Sequence, residues 1–311
     1  MEILTKKQGQ LRWLCALILL VACSFRTWDV LSHREVLPHR EALPVAPTEA
    51  PDYPILLYQK PLGKREPLTF DASFVEIDNR SGSNYDLAAL LDRPFSFPQT
   101  DKPTVLILHT HATEAYADTG DYRSEDPAEN MVSIGAKIAE ILTQKGIRAI
   151  HDTTLHDAYG YSDAYERVEG VIREYLQEFP TLCMVIDVHR DAVEYADGTQ
   201  KAMTATVNGE ELAQLLLVMG TDTEELPHPN WEENLAFAVK LQAYIGASAP
   251  DLFRDISLRS ARYNEHMTPY SLLLEVGSAG NTREQALRSA TYFAQKLAVL
   301  LLSSDSLLPS D

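Results

Sequence analysis

Three apolar stretches of the sequence end in residues that can bind a metal ion. They read LILHTHATE (106–114), MVIDVHRDA (184–192) and LLLEVG (272–277). His111 and Glu114 have H-x-x-E spacing, which lets both side chains reach one ion where a strand turns into a loop, and His189 adds a second imidazole. Two imidazoles and a carboxylate, with a fourth position open for water, are the donors of a catalytic zinc ion. We therefore predict that His111, Glu114 and His189 hold Zn²⁺.

Glu275 is the predicted general base of this site. It would take a proton from the zinc-bound water and return it to a leaving amine. The apolar residues before it, LLL, indicate a buried strand. Burial disfavours the carboxylate form, so we expect the pKa of Glu275 to be raised towards the working range.

Each of these signals taken alone also has a structural explanation. A histidine at a strand end is often only structural, and H-x-x-E recurs by chance. A carboxylate inside a buried strand is costly unless it is paired or functional. A closed structural zinc site typically uses cysteines, but the three in the chain (Cys15, Cys23 and Cys183) form no CxxC pair. The combination of three such strand ends favours a catalytic metal site.

Several other residues are weaker candidates. His109 and His111 are two residues apart and share a face while the strand lasts, so His109 is an alternative ligand. Arg190 is a candidate for holding a substrate carboxylate, and Asp191 for orienting a ligand histidine, although surface ion pairs explain both equally well. His151, at another strand end, could line a peptide-binding groove or lie in an ordinary loop. His228, in the turn LPHPN, is expected to be exposed.

Alternating strands and helices must position these residues. Apolar runs predict strands at TVLIL (104–108), IRAIH (147–151), CMVIDVH (183–189) and YSLLLEVG (270–277), and further strands at KAMTATV and AQLLLVMG. Helical spacing of apolar residues predicts helices around 128–146, 164–179 and 230–246, and a last helix that begins with the capping box TREQ and runs to about residue 302. This order predicts an α/β three-layer sandwich with a mainly parallel central sheet, in which sites gather at the carboxyl ends of strands.

The N-terminal part of the chain is predicted to be a targeting segment and a spacer. Residues 1–26 combine a basic start with a 13-residue apolar stretch, which indicates either a signal-anchor helix or, from the sequence LVAC, a lipoprotein with lipid on Cys23. Residues 27–54 are a proline-rich linker. Residues 55–100 extend the folded domain, residues 101–303 form the catalytic domain, and residues 304–311 are a tail. Either anchor would hold the rest of the chain at the outer face of the membrane.

The charge of the chain argues against a nucleic-acid partner. The formal net charge is −18, and no run of Lys or Arg is available to bind phosphates.

Four motifs together resemble the stage II sporulation protein P family. They are VLILHTHATEAY, YRSEDPAENMVSIGAKI, VIDVHRDA and LLLEVG, and the resemblance extends over residues 101–303. It implies an exported, membrane-anchored peptidoglycan hydrolase with zinc-dependent N-acetylmuramoyl-L-alanine amidase activity and an additional endopeptidase activity on stem-peptide cross-links. It further implies septal wall thinning and engulfment between forespore and mother cell, beside stage II sporulation proteins D and M. The implied fold is that of zinc amidases related to carboxypeptidase-like hydrolases.

One departure from the related zinc amidases leaves the carboxylate ligand open. In those proteins the ligand Glu lies about fifteen residues after the first His, at the start of the following helix. The corresponding region here reads SEDPAEN, which makes Glu129 the alternative to Glu114.

Two other functions are compatible with the same residues. One is a zinc carboxypeptidase or endopeptidase that acts on other peptides. The other is a non-catalytic membrane-anchored scaffold, in which the histidines are structural.

Overall fold

Seven strands form the central sheet of the computed structural model, which describes residues 68–222 and 226–303. They are β1 (Ile77–Asn79), β2 (Val105–Leu108), β3 (Ala149–His151), β4 (Met184–Asp191), β7 (Leu215–Gly220), β8 (Ile256–Arg259) and β9 (Leu272–Ser278). Between β4 and β7 in the chain, β5 (Thr204–Val207) and β6 (Glu210–Ala213) form a separate antiparallel hairpin. The order in the large sheet is β1-β8-β7-β9-β4-β2-β3.

The sheet consists of two parallel halves that meet in one antiparallel pair. Strands β3, β2, β4 and β9 are parallel to one another, as are β7, β8 and β1, while β7 runs antiparallel to β9. The prediction of a mainly parallel sheet is therefore confirmed. As a result, the carboxyl ends of β2, β4 and β9 lie at the same edge of the sheet as the starts of β7 and β8.

Helices cover the two faces of the sheet unequally. The described helices are α1 (Leu87–Asp92), α2 (Met131–Gln144), α3 (Ala164–Glu178), α4 (Trp231–Gly246) and α5 (Arg283–Ser303). One face packs against α2, α4 and α5 in the larger apolar core. On the other face α3 covers β2 and β4 through a smaller cluster that includes Leu106, Val168 and Val185. These are the three layers that the sequence predicts.

Local sequence signals explain where the helices begin and end. Helix α2 buries Met131, Ile134 and Ile138 on its apolar stripe, and its N-cap, Asn130, accepts a hydrogen bond from the Val132 amide. The predicted capping box of α5 is confirmed. The Thr282 amide donates to Gln285 Oε1 at 3.0 Å, and the Gln285 amide donates to Thr282 Oγ1 at 3.2 Å.

The N-terminal extension contributes to the sheet where it is described. Strand β1 pairs with β8, so residues 68–100 supply an edge strand as well as α1. The predicted anchor, the linker and residues 304–311 lie outside the described residues. Within 68–222 and 226–303, no helix is both long and apolar enough to cross a membrane.

Gly135 lets α2 approach the sheet at the start of the candidate site. A Cβ atom at this position would lie 2.5 Å from His109 Cε1 and Nε2, and 2.8 Å from His151 Nε2. Gly170 in α3 offers a control, because a Cβ atom there would meet nothing within 4 Å.

We expect Gly135→Ala to lower the free energy of unfolding by about 1–3 kcal/mol, because the two buried imidazoles must move to admit the methyl group. Gly170→Ala should raise it by about 0.5–1 kcal/mol, because alanine loses less backbone entropy in a helix. Equilibrium urea unfolding measures both changes. Equal stability of the two variants would contradict the close approach.

Candidate active site

Neighbouring strands bring the three predicted motifs together. Leu108 of β2 pairs with Asp187 of β4, and His189 of β4 pairs with Glu275 of β9. Residues paired across neighbouring strands point to the same face of a sheet. Asp187, His189 and Glu275 therefore lie side by side on the face that α3 covers in part, and the expectation that these strand ends meet is confirmed.

His109 and His111, the two histidines of the motif HTH, do not share a face of the sheet. Strand β2 ends at Leu108, so the two-residue alternation of side chains ends before His109. His109 Nδ1 lies 3.0 Å from the Val188 carbonyl oxygen, and its Nε2 lies 3.0 Å from His151 Nε2. Burial lowers the pKa of His109 to about 3, so the ring is neutral and carries one N–H. That N–H donates to Val188, and His151 in turn donates to His109.

His111 points instead towards α3 and the segment before it. Its ring stacks on Tyr161 with the centroids 3.8 Å apart, and the Tyr165 ring meets its edge at 5.6 Å. Burial, with the nearby His189 charge, lowers the pKa of His111. Among the described residues, no group hydrogen-bonds its buried Nδ1 atom. His111 is thus a neutral imidazole with one nitrogen available to a ligand.

His189 lies buried between two carboxylates. Its Nδ1 is 3.5 Å from Glu114 Oε2, and its Nε2 is 2.9 Å from Asp187 Oδ1. Burial alone lowers the pKa of His189, but the two carboxylates outweigh that effect and hold the pKa well above its ordinary value. The Nε2 contact lacks hydrogen-bond alignment, and no other described group bonds this atom. His189 therefore compensates the buried negative charges as a cation, without being fully hydrogen-bonded.

Arg190 positions Glu114 and the loop around it. Its amide donates to Glu114 Oε2 at 3.2 Å, and its guanidinium donates to the carbonyl oxygens of Ala115 and Tyr122 at 2.9 and 2.8 Å. The Glu114 amide donates to the His111 carbonyl at 3.1 Å, which closes the H-x-x-E turn. Because Arg190 is buried and its donors hold this loop, surface ion pairing does not describe it. Binding of a substrate carboxylate by Arg190 stays a prediction.

The remaining candidates lie around this cluster. Asp191 Oδ2 accepts a hydrogen bond from Arg254 Nη1 at 2.6 Å, and the carboxylate next to His189 is Asp187. Asp187 thus occupies the place predicted for Asp191. Glu129 is exposed on the surface, where its carboxylate accepts from Ser124 Oγ at 3.0 Å.

One further residue contradicts its sequence-based prediction, and another contributes to the site without having been predicted. The expectation that His228 is exposed is wrong, because the side chain is buried and Asn234 Nδ2 donates to its Nε2 at 3.3 Å. Asp157 supports the Glu114 loop by accepting hydrogen bonds from the Thr113 amide and hydroxyl at 3.1 and 2.6 Å.

Glu275 faces the cluster as a neutral carboxylic acid. Burial raises its pKa to about 8, although the His189 charge partly opposes the shift. Its Oε2 atom is buried, and no described group forms a hydrogen bond to it. A nearby cation would favour the carboxylate form and lower this pKa. Glu275 is therefore a group whose protonation state depends on what binds beside it.

The chemistry of the cluster fits zinc. His111 Nδ1 is a buried nitrogen without a hydrogen-bond partner among the described residues. Glu114 Oε2 lies 3.5 Å from His189 Nδ1, and the carboxylate beside His189 Nε2 is that of Asp187. These are zinc donors. As they stand in residues 68–222 and 226–303, no three His, Cys, Asp or Glu side chains are arranged to hold an ion. Protonated His189 contacts the carboxylates directly, so metal binding has to displace its proton.

The cluster contains functional candidates that the sequence analysis missed. Tyr161 and Tyr165 contact the His111 ring, and the Tyr165 ring also lies parallel to that of His189 at 6.4 Å. No metal-ligand motif includes these tyrosines. Asp187 did carry a signal, since an acidic residue inside the buried run VIDVH requires a partner.

The chain matches one protein family over most of its length. Residues 66–298 match the model of the family described as stage II sporulation protein P (SpoIIP). The stage II sporulation protein P of Bacillus subtilis (strain 168) is 27% identical over 206 residues, which cover 61% of this chain and 49% of that protein. The chain thus spans about half the length of this curated relative.

Solved amidase structures are also similar to the chain. The N-acetylmuramoyl-L-alanine amidase AmiC2 of Nostoc punctiforme is 16% identical, with a TM-score of 0.37 and coverage of 66% of this chain and 97% of that one. The catalytic domain of the amidase CwlV of Bacillus (Paenibacillus) polymyxa is 15% identical, with a TM-score of 0.40 and coverage of 63% and 94%.

The raised pKa of Glu275 predicts how stability depends on pH. With metal removed by a chelator, the free energy of unfolding of the wild type should fall relative to that of Glu275→Gln as pH rises from about 5 to about 8. In this window the folded protein keeps a proton on Glu275 that the unfolded chain has lost. The difference should change by at most about 1.4 kcal/mol per pH unit. Urea unfolding of both proteins across the window measures it, and a constant difference would refute the protonated state.

Proposed function

Because the chain belongs to the stage II sporulation protein P family, we propose that it is a zinc-dependent peptidoglycan hydrolase of sporulation. The family that the four motifs indicated is confirmed by the match over residues 66–298. The specific reaction that we propose is that of an N-acetylmuramoyl-L-alanine amidase, which cuts the amide between the muramyl lactyl group and the first alanine of the stem peptide. Endopeptidase cleavage of stem-peptide cross-links is a second proposed activity.

The observation that carries this proposal is the convergence of His111, Glu114, His189 and Glu275 at one edge of the sheet. His111, Glu114 and His189 are the proposed zinc ligands. When bound, zinc would polarise the scissile carbonyl and lower the pKa of a bound water. The Glu114 carboxylate, held by Arg190, keeps one oxygen directed at His189.

Glu275 is the proposed proton carrier. It lies on β9 directly beside His189, and its buried Oε2 atom has no competing hydrogen bond among the described residues. In its carboxylate form it would accept the proton of the attacking water. It would then deliver that proton to the nitrogen of the leaving alanine, so the amine departs uncharged.

Tyr161 contributes to the shape of the site and limits the access of water to it. Tyr161 covers one face of His111, and Arg123 lies 4.9 Å from the Tyr161 ring centroid. This stack shields the His111 ring from water and restricts its rotation. An imidazole held in this way loses little further freedom when it binds a ligand.

We also propose that the chain acts outside the cytoplasmic membrane. The predicted anchor in residues 1–26 and the linker in 27–54 would hold the hydrolase close to the membrane and in reach of septal wall. Stage II sporulation proteins D and M are the proposed partners, and the space between forespore and mother cell is the proposed location.

Replacement of Glu275 by Gln should lower turnover of purified sacculi by roughly 10²–10⁴-fold, because the amide cannot carry the proton. The wild type should release stem peptides that begin with a free alanine amine and should leave glycan strands without peptides. Mass spectrometry of the soluble products measures both. Glu174→Gln, on the exposed surface of α3, is the matched control and should keep wild-type turnover.

Two outcomes would contradict this reaction. Wild-type turnover by Glu275→Gln would exclude the proposed proton carrier. Products cut only within the peptides, with the lactyl–alanine amide intact, would exclude the amidase reaction and favour the peptidase alternative.

A further inference from the structure

A polar cleft opens beside the candidate active site. It has a volume of about 830 Å³ and lies over β1 and the starts of β7 and β8, at the edge of the sheet where β4 and β9 end. Its walls are drawn from residues 73–80 around β1, the start of β7, residues 250–259 before and within β8, and Gln242 of α4. None of these segments belongs to the zinc-donor cluster.

The cleft is continuous with that cluster through two contacts. Leu216 lines the cleft and is the cross-strand partner of Glu275, on the same face of the sheet. Paired residues on neighbouring strands lie about 5 Å apart. Arg254, also in the cleft wall, donates to Asp191 two residues after His189. A substrate that reaches Glu275 can therefore extend directly into the cleft.

No helix closes this part of the sheet face. Helix α3 covers β2 and β4, whereas Leu216 and Leu273 belong to neither apolar cluster of the described residues. Leu216 of β7 pairs with Glu275 of β9, and Val218, two residues further along β7, pairs with Ser257 of β8, so these side chains lie on one face of the sheet. On this face the residues that line the cleft, Leu216, Ser257 and Asp78, lead from β7 across β8 to the edge strand β1.

The charges in the cleft favour a cationic ligand. Each of its arginines faces an aspartate: Arg80 and Arg259 lie 3.1 and 3.3 Å from Asp78 Oδ2, and Arg254 lies 2.6 Å from Asp191 Oδ2. Three exposed carboxylates in the walls have no ion-pair or hydrogen-bond partner among the described residues, and they belong to Glu76, Asp251 and Asp255. Because Arg80 and Arg259 share Asp78, one arginine charge is left over, but the three carboxylates exceed it, so the balance of charge in the cleft is negative.

A buried acceptor in the cleft also lacks a donor. Gln242 is only 3% exposed and contributes to the cleft wall from α4. Its Nε2 donates to the Arg254 carbonyl at 3.0 Å, which identifies the other amide atom as oxygen. That Oε1 atom is buried and has no hydrogen-bond partner in the described part of the chain. A buried acceptor without a donor is costly, and a ligand N–H would satisfy it.

We propose that this cleft binds a primary ammonium group of the peptide arm of the substrate, and this inference rests on the proposed function. An ammonium ion offers three hydrogen-bond donors and one positive charge, which matches the unpaired carboxylates and the free Gln242 oxygen. Glycan offers no positive charge, and a peptide carboxylate would meet the negative walls. The cleft therefore selects stem peptides whose diamino acid carries a free side-chain amine.

Binding to the full-length Glu275→Gln protein tests this assignment without consuming the ligand. The probes are a disaccharide stem peptide with a free side-chain ammonium at its diamino acid, and the same compound with that amine acetylated. Titration calorimetry should show roughly tenfold tighter binding of the free amine, as several partly exposed ion pairs would give. When Glu76→Gln, Asp251→Asn and Asp255→Asn are added to the Glu275→Gln protein, the preference for the free amine should disappear. Both probes should then bind with the affinity that the acetylated probe shows for the protein with the intact cleft.

The control variant also loses carboxylate charges, but at positions outside the cleft. Glu174→Gln combined with Glu178→Gln removes two exposed carboxylates of α3, outside the cleft, and should leave the tenfold preference intact. Equal binding of the two probes by the Glu275→Gln protein, or an unchanged preference after neutralising the cleft, would overturn the assignment. Failure of the proposed function appears separately, as selective binding without any cleavage by the wild type.

Discussion

The buried imidazole of His189 between Asp187 and Glu114 is the interaction on which the site depends. Two carboxylates cannot stay ionised in a protein interior without compensation. His189 supplies a positive charge to both, Thr110 donates its amide and hydroxyl to Asp187, and Arg190 donates to Glu114. These contacts fix the loop after β2 against β4. If zinc binds here as proposed, it would take over the role of the His189 proton.

The reversal of strand direction between β9 and β7 determines which chain segments lie next to the site. A wholly parallel sheet would place only loops after strands at this edge. Here the starts of β7 and β8 lie beside the ends of β4 and β9, so chain segments distant in sequence form the polar cleft next to Glu275. The candidate active site and the cleft are thereby two parts of one edge of the sheet.

The apolar pattern of the sequence, and the position of polar residues at the ends of apolar runs, were sufficient to predict the strands that carry the site. The run VLIL is apolar throughout and LLLEVG is apolar except for Glu275, which identifies strands buried on both faces, and their parallel packing brings His189 and Glu275 together. Strand β8 was missed because its segment, ISLR, is short and half polar. His109 and His111 were expected to share a face, but spacing cannot show that the backbone leaves the strand at Leu108. Tyr161 and the cleft arise from tertiary packing, which no local motif encodes.

Zinc-edge X-ray absorption on the purified full-length protein tests the proposed metal site most directly. The wild-type spectrum should show only nitrogen and oxygen ligands, with the multiple-scattering features of two imidazoles. His111→Ala and His189→Ala should each remove one imidazole or abolish zinc binding, whereas His109→Ala should retain both features, because His109 bonds to Val188 and His151. A protein that binds no zinc, or a spectrum altered by His109→Ala and unchanged by His111→Ala, would contradict the assignment.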